Sequence, residues 1–198
     1  MKYTLLLFML LFSSASFSQV EDIDSIVLNL IENRAPWAGK IVNKKYYRLP
    51  ELKKKEALFT QTVIPRVYQI TIDGESTLYL HLYLERSSKN HSRSNVIEYK
   101  DLKGLVEALY TIIDQSKSVM TTGEATSLGA SYCTPRNCEI GYEIKKYIYN
   151  KKGSTDVAKR WYLSIDTTSL TSSTIYYKDY EGLLSLFETA LKFMESLR

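Results

Sequence analysis

The chain says part of itself twice, and that repetition limits what it can fold into more than any other feature. Ile97-Glu98-Tyr99-Lys100-Asp101-Leu102-Lys103-Gly104-Leu105 returns as Ile175-Tyr176-Tyr177-Lys178-Asp179-Tyr180-Glu181-Gly182-Leu183, at an offset of 78 and with six of nine residues identical. In both copies an extended run leads in and an amphipathic pattern follows. Residues 101–116 place Leu102, Leu105, Val106, Leu109, Ile112 and Ile113 on one helical stripe. Residues 179–197 do the same with Tyr180, Leu183, Leu184, Phe187, Ala190, Leu191, Met194 and Leu197.

Before each helix the hydrophobic period is two. In residues 77–85, Leu78, Leu80, Leu82 and Leu84 alternate with Tyr79, His81 and Tyr83, the pattern of a strand with one apolar and one mixed face. Asp73-Gly74 separates this run from residues 66–73 and reads as a hairpin turn. Shorter candidates lie at 45–49, 57–63 and 96–99. In the second copy residues 128–132, 139–149, 160–165 and 174–177 read as extended, with Lys151-Lys152-Gly153-Ser154 as a turn. Residues 22–33 form a separate helical stripe, closed by Ala35-Pro36-Trp37. The expected class is therefore α+β: two duplicated antiparallel strand-strand-strand-helix units, each helix packed on its own sheet, preceded by an N-terminal helix. Asp101 and Asp179 are expected to cap the helices. Gly104 and Gly182 would then allow close approach of helix and strand.

Residues 1–18 carry Lys2, an apolar run over 5–12 and small residues over 13–18, the pattern of a cleaved secretory leader. The apolar run is too short for the roughly 20 residues that span a bilayer. The expected organisation is a signal peptide at 1–18, an N-terminal helix and loop at 19–40, a first unit at 41–120 and a second at 121–198. The product is expected to be periplasmic or secreted. Cys133 and Cys138 are the only cysteines, and export exposes them to an oxidising compartment. A disulfide across Thr134-Pro135-Arg136-Asn137 is expected. A free thiol pair is the alternative, and zinc would lack two ligands.

No catalytic signature is present: no G-x-S-x-G elbow, no H-E-x-x-H and no phosphate-binding glycine loop. The two histidines are separated. His81 reads as a surface or rim residue of its strand, and His91 falls in a polar run. The chain is therefore expected to be no enzyme, with no cofactor and no metal. A basic and aromatic grouping offers a binding surface instead: Lys145, Lys146 and Arg160 with Tyr147, Tyr149, Trp161 and Tyr162. Cations beside stacking platforms suit single-stranded nucleic acid or another anionic polymer. Lysines on strands also serve simply to protect sheet edges. A second basic run, Lys44, Lys45, Arg48 and 53–55, adjoins Tyr46 and Tyr47. The net charge of +4 is too mild to decide for nucleic acid.

The two lead-ins, Ile97 to Leu102 and Ile175 to Tyr180, resemble an element of uncharacterised exported bacterial proteins built from tandem sheet-plus-helix units. More distantly, Thr77-Leu78-Tyr79-Leu80-His81-Leu82 followed by Tyr99 to Gly104 is similar to the strands-then-helix repeat of the Pur-alpha and whirly-like single-strand nucleic-acid binders. That resemblance implies topology only, because the glycine-arginine-rich strand of Pur-alpha is missing here. The sequence thus leads to an exported non-enzymatic binding or interaction protein, with a single-stranded nucleic-acid or anionic-polymer binder as the alternative. Its partner would be a protein or anionic polymer of the cell envelope.

Overall fold

The computed structural model describes residues 39–55, 60–86, 93–118, 127–149, 154–166 and 172–198. The expected leader, the helix at 22–33, Trp37, His91 and the turn at 151–153 lie outside the described residues. Among the described residues nine strands and two helices follow in the order β1 (Val42–Arg48), β2 (Leu52–Lys55), β3 (Thr60–Ile72), β4 (Glu75–Arg86), β5 (Arg93–Glu98), α1 (Tyr99–Ser118), β6 (Ser127–Cys133), β7 (Cys138–Tyr149), β8 (Ser154–Asp166), β9 (Ser172–Tyr177) and α2 (Glu181–Ser196). The first sheet runs β1-β3-β4-β5 with β2 also on β3, and the second runs β6-β7-β8-β9. Every pairing is antiparallel.

The expected α+β class is therefore corrected. The fold is mostly β, and its halves are not strand-strand-strand-helix units: five strands precede the first helix and four the second. Pro65 is one reason that strand was misread. It looks like a break between two strands, yet β3 runs straight through it. The Pro65 carbonyl accepts the Leu49 amide at 3.1 Å, so the side of β3 lacking an N–H faces the sheet edge. It is the edge that breaks instead. β1 ends opposite Arg66 and β2 resumes opposite Val63.

The β3–β4 hairpin turns on Asp73 and Gly74, with φ of 52° and 91°, as a two-residue turn with both central residues left-handed requires. At Thr134 the chain uses a three-residue loop. Asn137 donates to the Thr134 carbonyl and sits at φ 59°.

Packing departs from expectation too. Each helix was expected on its own sheet. Instead α1 lies against β6 and β7 as well as β4 and β5, and α2 lies against β2 and β3 of the first sheet. The repeated glycines mark this exchange. A Cβ on Gly104 would come 3.1 Å from the Tyr132 hydroxyl of β6, and one on Gly182 would come 3.0 Å from Leu52 of β2. The helices also meet each other, Tyr110 donating to Glu188, and those two residues are separated by the repeat offset of 78. Where the helices meet, equivalent residues of the two copies of the repeat thus face each other. One core results, in which Leu80 and Leu82 of the first sheet, Ile140 and Leu163 of the second, and Leu105, Leu109, Leu183 and Phe187 of the helices are all fully buried. Halves that share a core this way are not independent domains.

The aspartate caps are not found. Asp101 lies inside the first turn of α1, where a carboxylate still suits the helix dipole. The N-cap of α2 is Tyr180, without a side-chain cap bond.

Candidate functional site

Alternation along the strands divides each sheet into an inner face on the core and an outer face. In the second sheet Ile140, Tyr142, Trp161, Leu163 and Ile175 point inward and are buried. Ser127, Gly129, Ser131 and Cys133 of β6, Glu139, Gly141 and Glu143 of β7, Tyr162 and Ser164 of β8, and Thr174 and Tyr176 of β9 share the other face by register. There all of these except Gly141 line an open groove of about 730 Å³, within the usual range for small-ligand sites.

At two glycines on this face β6 and β7 approach each other closely. A Cβ on Gly141 would overlap the Ala130 carbonyl oxygen and lie 2.7 Å from the Ser131 Cβ. One on Gly129 would overlap the Tyr142 carbonyl. Only glycine fits at either point. The wall is aromatic: the Tyr162 and Tyr176 rings are 6.1 Å apart and tilted by 55°, and the Arg160 guanidinium lies 5.6 Å over Tyr176. The Tyr162 hydroxyl donates to Glu139 at 2.7 Å. Burial and that bond together hold its pKa up to about 12, so the phenol is a fixed donor. Glu143 pairs with Lys145 at 2.9 Å, and the Thr174 hydroxyl donates to Ser164 at 3.1 Å.

The sequence-predicted binding residues divide between the faces. Tyr162, Arg160 and Lys145 share the outer face. Trp161 does not: it is 3% exposed and packs edge-on against Tyr180 at 5.2 Å, so it belongs to the core. Lys146, Tyr147 and Tyr149 pair through their backbones with Val157, Asp156 and Ser154. Their side chains lie outside the described residues. Lys159 has a structural task. Its ammonium donates to the Ser116 carbonyl at 2.5 Å, at the C-terminal end of α1, and lies 5.3 Å from the Tyr142 ring. Sequence reasoning missed Glu139, Glu143, Ser131, Thr174 and Tyr176. The readable signal was Ser127, Gly129 and Ser131, small residues at every outward position of one strand.

The expected disulfide is absent. Neither cysteine is in a disulfide; Cys133 is exposed and Cys138 is buried. Cys133 pairs with Glu139, while the Thr134 amide donates to the Cys138 carbonyl and the Cys138 amide to the Thr134 hydroxyl, so the two thiols sit one register apart. A one-residue offset sends neighbouring side chains to opposite faces of a sheet. Burial pushes the Cys138 thiol up to about 12, with Cys133 and Glu139 adding to the effect, so it is no nucleophile.

His81 is corrected as well: it is fully buried rather than a rim residue. Its ring stands between Tyr68 and Tyr83, and neither ring nitrogen has a hydrogen-bond partner among the described residues. Desolvation, aided by Arg66, lowers its pKa to about 3. Among the described residues no three His, Cys, Asp or Glu side chains gather as metal ligands. A second cleft of about 480 Å³ lies at Gln69, Thr77, Glu98, Tyr99, Lys100 and Arg198. Its charges are already engaged: Glu98 meets Lys100 at 3.3 Å and Arg136 at 3.5 Å, and Arg198 stacks 4.5 Å from Tyr99. In comparison with known proteins, the chain matches no protein family, and no curated protein matches it either.

Proposed function

We propose that this is an exported, non-enzymatic binding protein whose ligand seats in the groove on the outer face of the second sheet. The observation that carries the reading is a polar, tyrosine-walled groove on the outer face of the second sheet, at positions where the first sheet carries the buried Tyr68, Ile70, His81 and Val96. Tyrosines give contact area at low entropic cost, and Glu139, Glu143 and the hydroxyls give direction. Capture of partners from the native envelope tests it, comparing the wild type with Ser131→Trp, which places an indole in the groove from an exposed position. Capture should fall while the unfolding midpoint stays put. Equal capture by both proteins would end the reading, and so would recovery of the mature protein with residues 1–18 still attached in the cytoplasm.

A second reading takes an anionic polymer along the β1–β2 edge. Lys45, Arg48, Lys53 and Lys55 are exposed there, beside a Tyr46 that is 60% exposed. Retention on heparin or single-stranded DNA that falls steeply with salt would favour it. The groove itself does not suit an anion, because two carboxylates line it.

A further inference from the structure

We infer that the ligand of the groove is a neutral saccharide, an inference that rests on reading the groove as the binding site. Three features converge. The first is charge. Glu139 and Glu143 line the groove, while Lys145 and Arg160 stand on the same face. Glu143 is already paired with Lys145, and Glu139 already accepts from Tyr162. The face is thus balanced: an anion meets two carboxylates, and a cation finds both partly engaged. The second is hydrogen-bonding capacity. Ser127, Ser131, Ser164 and Thr174 bring hydroxyls that donate and accept, and a carboxylate keeps several acceptor sites after one bond. Vicinal sugar hydroxyls have the complementary mixture of donors and acceptors. The third is the wall. Tyr162 and Tyr176 present two adjacent rings, a surface that takes the C–H face of a pyranose while the ring edges stay wet.

The test is amide chemical-shift mapping on the leaderless protein, titrated separately with hexasaccharides of α-glucan, β-glucan, β-mannan and chitin, with spermine, and with single-stranded oligothymidylate. At least one neutral hexasaccharide should shift Gly129, Gly141, Tyr162 and Tyr176 saturably. Tyr176→Ala and Glu139→Gln should each weaken that binding about tenfold. Tyr162→Phe keeps the ring, loses the donor and should weaken it less than Tyr176→Ala does. If spermine or oligothymidylate shifts the groove and no saccharide does, the saccharide inference falls and the groove remains a binding site. If none of the probes shifts it, both readings fall together.

Discussion

The outer faces of the two sheets are built on the same register and have opposite fates. Setting Leu80 opposite Ile97 against Leu163 opposite Ile175 brings Tyr68 onto Gly141, Ile70 onto Glu143, His81 onto Ser164 and Val96 onto Thr174. In the first sheet all four are buried, yet Tyr68, Ile70 and Val96 stand apart from the main core. In the second sheet the equivalent residues are small or polar, and three of the four line the groove. At these four positions the two outer faces therefore differ in side-chain volume and polarity, bulky and buried on one sheet, small or polar on the other. The inner faces of the halves, which share one core, have had no such freedom to diverge.

Acidification should separate the two faces most strongly. The His81 pKa is lower in the fold than its unfolded value of 6.5, so the unfolded chain binds the proton more readily. Stability from this residue is complete above pH 6.5 and is lost as the pH falls from there toward 3, by roughly 5 kcal/mol in all. Denaturant midpoints at pH 8, 5.5 and 4 should show the loss in the wild type. His81→Ser, which installs the residue of the second sheet, should flatten the profile even if it lowers every midpoint. Equal slopes would show that His81 is solvated.

Truncating the filled face comes next. Tyr68→Ala should cost about 3–5 kcal/mol, the cost of emptying a buried aromatic position. A loss below about 1 kcal/mol would mean that this face is not a packed layer. On the open face the opposite change should hurt: Gly141→Ala should cost about 1–3 kcal/mol, because its methyl group meets the Ala130 carbonyl of the neighbouring strand. A neutral result would show that β6 and β7 lie further apart.

The smallest effect concerns the groove rim. Cys133→Ser should change stability by no more than about 0.5 kcal/mol, since an exposed thiol is replaced by a hydroxyl that can make the same contact with the Thr134 carbonyl. Thiol titration should find one reactive group in the folded protein and two after unfolding. Finding none after unfolding would restore the disulfide.

These contrasts also show how much could be read in advance. Both helical stripes, the Asp73-Gly74 hairpin and the apolar face of β4 were legible because each follows from local periodicity and turn chemistry. The continuity of β3 was not, because proline looks like punctuation until the sheet edge is located. The exchange of the helices was invisible in principle: an apolar stripe says that a helix must be covered, not by which strands. Trp161 and Tyr162 are adjacent in sequence and were placed together, although neighbours on a strand belong to opposite faces. Only the register assigned Tyr162 to the groove and Trp161 to the core.

The exchanged helices bear on when the molecule can become itself. Strands β2 and β3 are covered by α2, the last 16-residue element of the chain. While the polypeptide emerges from the ribosome, its first half is fully made yet still lacks its lid. Until α2 has been made, the part of the first sheet formed by β2 and β3 has no helix over it. For a chain proposed to thread through a membrane before folding, a cover that comes from the later copy of the repeat leaves the earlier one open while it threads.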